Sequence, residues 1–144
     1  MLNREHRKAP YLAKGRLADV LALIQVLALD ESSHRSENGL ATELQGPPRS
    51  AESWSSLAQL HPEFFRVRPT GENRVSLIIR HVSPRDQGAR PPLSPDYTSK
   101  LLALAVDLHD REFKRAQAWH IWVPVIATLL GGALALFGVS LRQG

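Results

Sequence analysis

From residue 116 to residue 141 the chain carries no charged side chain, and residues 121–141 are strongly apolar throughout. At 1.5 Å rise per residue this apolar part would form a helix about 31 Å long, the thickness of a bilayer's hydrocarbon core. A chain of 144 residues has no interior able to hide such a run on all sides. The expectation is therefore a small folded domain followed by a single transmembrane helix. Trp119 and Trp122 stand at the start of the run, where amphipathic rings settle at headgroup level, with Lys114 and Arg115 just before it. Positive charge is heavier on that side (Arg111, Lys114 and Arg115 against Arg142), which predicts an inner-membrane protein with its N-terminal domain in the cytoplasm. Residues 2–16 are basic and polar and predict no signal peptide. Ala127, Gly131 and Ala135 recur every fourth residue, with Gly138 near the same face. Such a stripe lets two helices approach closely and makes the span a candidate for self-association.

The rest of the chain is punctuated into short elements. Leu17, Val20, Leu21, Ile24, Leu27 and Ala28 recur at steps of three and four, which predicts a central helix over residues 16–31. A shorter helix is expected over residues 36–45, turned inward by Leu40, Ala41 and Leu44. Gly46-Pro47-Pro48 ends it. Ser50 is the expected N-cap of a third helix, with Ala51, Trp54, Leu57 and Ala58 on one face and a stop at His61-Pro62. Two strands follow, residues 64–68 and 74–82, around a loop at residues 69–73. In the second strand Val75, Leu77 and Ile79 alternate with Arg74, Ser76, Ile78 and Arg80. Residues 83–94 are rich in Pro, Arg and Gly and read as an extended linker. Ser94-Pro95-Asp96 then opens a helix over residues 95–120 that leads into the span at 121–141.

The order helix, helix, tight turn, helix, hairpin resembles a winged helix-turn-helix. The residues that carry the resemblance are Gly39-Leu40-Ala41-Thr42-Glu43-Leu44, the turn at residues 46–49, Trp54-Ser55-Ser56-Leu57-Ala58 and Phe64-Phe65-Arg66-Val67. It covers residues 16–82, after a basic arm at residues 1–15. The fold class expected is thus α+β: a small winged-helix-like domain, a Pro-rich linker, and a long C-terminal helix ending in a transmembrane helix. Membership in this fold implies nucleic-acid binding, with the third helix in the major groove.

Charge argues against that docking. Between residues 17 and 63, Arg35 and Arg49 face Asp19, Asp30, Glu31, Glu37, Glu43, Glu52 and Glu63, a net −5. The third helix offers no Arg or Lys, so the phosphate attraction that supplies most affinity is missing there. Basic residues gather elsewhere. Residues 1–16 hold Arg4, Arg7, Lys8, Lys14 and Arg16 against Glu5, and the hairpin region holds Arg66, Arg68, Arg74 and Arg80 against Glu72. An arm and wing of this kind can grip a nucleic-acid backbone, lie against anionic headgroups, or be solvated surface. Arg66, Arg68, Arg74, Arg80, Arg7 and Lys8 are the candidates for an anionic partner. Glu52, Ser55 and Gln59, on the polar side of the third helix, are the candidates for a protein partner.

No catalytic constellation is visible. The six histidines, His6, His34, His61, His81, His109 and His120, show no metal-binding spacing. The chain has no cysteine, no nucleophile elbow and no Gly-rich phosphate loop. The reading is a non-catalytic membrane protein, without metal or cofactor, whose cytoplasmic domain holds a macromolecular partner at the membrane. The alternatives are a membrane-tethered DNA-binding regulator and a small effector of a bacterial defence or toxin system with an oligomerising span.

Overall fold

The structure is a computed structural model. It describes the backbone of residues 10–82 and 90–140, and their side chains except at 70, 119–122, 125 and 129–140. The described elements are α1 (Arg16–Leu29), β1 (Arg35–Ser36), α2 (Glu37–Glu43), α3 (Trp54–Leu60), β2 (Phe65–Thr70), β3 (Glu72–Leu77), α4 (Ile78–Val82) and α5 (Pro95–Ser140). The chain divides into two compact units, residues 1–109 and 110–144, and α5 contributes to both.

In the first unit, the face of α1 made by Val20, Leu23, Ile24, Leu27 and Ala28 is fully buried. It packs with Leu40 of α2, Trp54, Leu57 and Ala58 of α3, Phe65 of β2 and Val75 and Leu77 of β3. Ala105 of α5 closes the same core, flanked by Leu101, Leu102 and Leu108. Tyr11 belongs to it too. Its hydroxyl donates to Glu63 Oε1 at 2.7 Å, and its ring lies 4.5 Å from that of His61. The expected arm is therefore partly core. Burial pushes the Glu63 carboxyl up, but hydrogen bonds from His61, Tyr11 and its own backbone N–H leave it below the usual carboxylate range.

The turn between α2 and α3 is built on a C-terminal cap. Gly46 N–H donates to Ala41 O at 2.7 Å and Gln45 N–H to Thr42 O at 3.4 Å, the bond pair of a Schellman motif. The left-handed residue that this motif requires is Gln45, at φ 58°, not the adjacent glycine. At the other end of α2, Ser36 Oγ accepts from Gly39 N–H at 3.2 Å. The helix thus starts at Glu37, one residue after the expected boundary, with Ser36 as its cap.

Four expectations change. The N-cap of α3 is Ser53, whose Oγ accepts from Ser56 N–H at 3.0 Å, and not Ser50. Ser50 is held by α1 instead: its N–H and Oγ donate to Asp19 Oδ2 at 2.8 and 2.6 Å, and its carbonyl accepts from Arg16 Nη2 at 2.7 Å. The hairpin loop is shorter than expected, because pairing continues to Thr70↔Glu72 across Gly71 at φ 59°. Only a residue tolerant of the left-handed region closes so tight a turn. β1 is a further strand. It pairs with β3 at Arg35↔Val75, giving the antiparallel order β1-β3-β2.

The third change concerns residues 78–82, which form helix α4 rather than the end of a strand. The cause is Arg80, which a continued strand would turn outward. It is fully buried, with Nη1 donating to the carbonyls of Leu27 (3.0 Å), Asp30 (2.7 Å) and Ser32 (2.8 Å). Nη2 reaches Glu31 O at 3.4 Å and Arg90 O at 2.7 Å. The guanidinium thus satisfies a terminal carbonyl of α1 that has no intrahelical partner, and it fixes the turn that follows.

The fourth change concerns the C-terminus. Among the described residues no helix is long and apolar enough to cross a membrane. The transmembrane helix expected at residues 121–141 is not borne out, although the long C-terminal helix expected to lead into it is there, as one helix of 46 residues. Within the stretch of α5 whose side chains are described without a break, residues 95–118, Asp96, Lys100, Asp107, Asp110, Arg111, Glu112, Lys114 and Arg115 are spread along its length. Charges at that density leave no apolar run of bilayer length within residues 95–118.

Candidate anion-binding site

The β2–β3 hairpin sorts its side chains by alternation. Phe65, Val75 and Leu77 turn into the core, and Val67 packs against it. Arg66, Arg68, Arg74 and Ser76 take the other face. The register sets Arg66 opposite Ser76 and Arg68 directly opposite Arg74. Two like charges in direct cross-strand register repel, so this pair costs stability rather than adding to it.

Three further segments meet this face. Pairing of β1 with β3 brings Ser33 and His34 beside Arg74, and Arg74 Nη1 stands 3.1 Å from His34 Nε2. A guanidinium only donates, so Nε2 of His34 is the acceptor in this contact. The Arg80 guanidinium holds the carbonyl of Arg90, whose side chain reaches the same place. α4 supplies His81, with Nε2 2.8 Å from Ser76 Oγ. Ser76 Oγ donates to Arg66 O at 3.3 Å, which leaves it to accept from His81 Nε2–H. The result is a cleft of about 260 Å³ lined by Ser33, His34, Arg68, Arg74, Ser76, His81 and Arg90. Among the described residues no carboxylate lines it. Burial first, then the positive charge of Arg90, Arg68 and Arg66 and the nearby His34, lowers the pKa of His81 below the usual imidazole value.

The helical side of the unit is different. Glu37 reaches from α2 to the start of α3, where its carboxylate accepts from Trp54 N–H at 2.7 Å and Ser55 N–H at 2.8 Å. The amides that could meet a phosphate are thus occupied by an acid of the same chain. A second hollow, of about 420 Å³, includes Asp30, Glu31 and Glu43 with Arg35. Arg35 is ion-paired to Asp30, which raises its pKa.

The residues singled out in the sequence therefore separate. Arg66, Arg68 and Arg74 come together on one exposed face. Arg80 does not join them, because its five carbonyl contacts bury it completely; burial lowers its pKa, with Asp30 opposing and Arg90 adding to that effect. Arg7 and Lys8 lie outside the described residues. Of the protein-partner candidates, Glu52 and Gln59 are exposed, but Ser55 is buried under Asn73, whose Nδ2 approaches its Oγ at 3.4 Å. Ala127, Lys114 and Arg115 are exposed on α5, while the side chains of Gly131, Ala135, Gly138, Trp119 and Trp122 lie outside the described residues. Among the described residues no group of three or more His, Asp or Glu side chains is arranged to hold a metal ion. His34, His81 and Arg90 were missed by sequence reasoning. Each is distant along the chain from Arg68 or on an element read as strand, and only the β1–β3 pairing and the Arg80 contacts bring them in.

Comparison with protein-family models, with curated proteins and with solved structures finds no match for this chain.

Proposed function

We propose that the first unit is a non-catalytic, winged-helix-like module that grips the phosphate backbone of a nucleic acid with its hairpin. The order α1-β1-α2-α3-β2-β3 and the sheet order β1-β3-β2 support the winged-helix reading, in which β2–β3 is the wing. The observation that carries the choice of surface is the segregation of charge. The outer face of the wing presents Arg66, Arg68 and Arg74 with His34 and Arg90 beside them, and no acid is among the described residues that line its cleft. On the helical side, Glu37 occupies the first amides of α3 and Glu52 is exposed next to them. Backbone-led binding is sequence-tolerant, because phosphate contacts position a protein without reading bases.

The test is fluorescence anisotropy of the full chain with a labelled duplex, set beside the triple variant R66E/R68E/R74E. All three side chains are exposed, so the variant should fold, which circular dichroism checks. Loss of binding in the folded variant supports the wing. Undiminished binding would refute it.

A further inference from the structure

We propose that the cleft between the His34 turn, the wing and Arg90 is a site for a terminal phosphate, the monoester at the end of a nucleic-acid strand. The proposal rests on the wing reading above and adds a specific subsite to it. Three segments far apart in the sequence converge on the cleft, and each is fixed from outside it. Ser33 and His34 are placed by the pairing of β1 with β3. Arg68, Arg74 and Ser76 are placed by the hairpin register. Arg90 is placed through its carbonyl by Arg80, which four other carbonyls pin in turn. A site held in this way pays little ordering cost when its ligand arrives.

The lining specifies the chemistry. Among the described residues, three guanidiniums, two imidazoles and two hydroxyls line the space and no carboxylate does, so it suits an anion and repels a cation. A backbone diester carries one charge and two free oxygens. A terminal monoester carries roughly −1.5 to −2 at neutral pH and offers three strong acceptor oxygens, which matches the larger donor set. Among the described residues no Phe, Tyr or Trp lines the cleft, so it suits sugar and phosphate better than a stacked base. Its volume of about 260 Å³ lies just under the ~300–1,000 Å³ of pockets that enclose whole small-molecule ligands. That size fits the end of a longer chain.

His81 makes the site pH-dependent. His81 faces Arg66 and Arg68 from β2, Ser76 from β3, His34 from the turn before β1, and Arg90. With Nε2–H committed to Ser76, Nδ1 is the atom that titrates. Positive neighbours disfavour its proton, and a bound dianion reverses that balance. Binding therefore takes up a proton, and affinity rises as pH falls from 8 to 6.5.

The experiment uses the full chain and one duplex in four forms: 5′-phosphate, 5′-hydroxyl, 3′-phosphate and 3′-hydroxyl. Affinities are measured by anisotropy at pH 8 and 6.5. The expected result is a preference of about tenfold for one phosphorylated end over its hydroxyl partner. The preference should grow at pH 6.5, be competed by millimolar inorganic phosphate, and vanish in Arg90→Met. His81→Gln, a second variant that keeps the carbonyl contacts of Arg80, should remove the pH dependence. Equal affinity for all four forms, with binding intact, overturns the terminal-phosphate site and leaves the wing reading standing. Binding of none of the four overturns both.

Discussion

Replacing Arg80 with Met tests the strongest single constraint in the first unit. Met keeps most of the apolar stem and removes the guanidinium that five backbone carbonyls share. The Leu27 bond is buried, so that carbonyl keeps no partner in the variant, at about 1–3 kcal/mol. The four others are partly buried and can recover some hydration, each at a net loss of about 0.5 kcal/mol, the low end for an ordinary hydrogen bond. Removing a buried cation returns part of its desolvation cost, which keeps the total from growing further. The expected loss is about 3 kcal/mol. A domain of this size unfolds with a urea slope near 1 kcal/mol per molar, so the midpoint should fall by about 3 M. Urea unfolding followed by circular dichroism and by Trp54 fluorescence measures it, and agreement of the two probes checks two-state behaviour. A loss under about 1 kcal/mol, or a gain, would refute the reasoning by showing that the buried charge costs as much as its bonds return.

Other perturbations separate structure from function. Arg68→Glu turns a like-charge pair with Arg74 into an opposite pair, so thermal stability should rise by the equivalent of about 0.5 kcal/mol while duplex affinity falls; a fall in both would contradict the register argument. Gln45→Gly relieves the one non-glycine residue with positive φ among the described residues and should stabilise by about 1 kcal/mol, measured as a shift in urea midpoint. Glu37→Ala removes two amide partners at the start of α3 and should cost about 1–2 kcal/mol by the same assay. His81 carries a depressed pKa in the folded protein, so the unfolded chain binds its proton first. Its contribution is therefore fully present above the unfolded value, about 6.5, and is lost as pH falls through the folded one. His81→Gln should flatten that part of the stability–pH curve, and an unchanged curve would remove the group from the account.

Much of the first unit is legible in the sequence because its cues are local. The periodicity of α1, the Gly46-Pro47-Pro48 stop and the alternation through Leu77 each act within a few residues. What the sequence hides is set by partners far along the chain. Arg80 continues the polar phase of a strand, yet the carbonyls at the end of α1 draw it inward and end the strand. Ser50 is as good a cap by type as Ser53, but Asp19 claims it. Tyr11 sits among basic residues and still reaches the core through Glu63 and His61. The apolar C-terminal run suggested a span by composition, whereas the described part of α5 is a charged helix continuous with it. The site follows the same division. Arg66, Arg68 and Arg74 are visible as alternating arginines on a hairpin. His34, His81 and Arg90 join them only through β1–β3 pairing and the Arg80 contacts.

The most direct test of the wing as a phosphate-gripping surface is the salt dependence of duplex binding by the full chain. Four guanidiniums, Arg66, Arg68, Arg74 and Arg90, face one side. If each meets a phosphate, log K should fall with log salt at a slope of about −3.6, a loss of roughly 150-fold between 50 and 200 mM. R66E/R68E/R74E should flatten that slope along with the affinity. Salt-insensitive binding, or the same slope in the variant, would contradict the account.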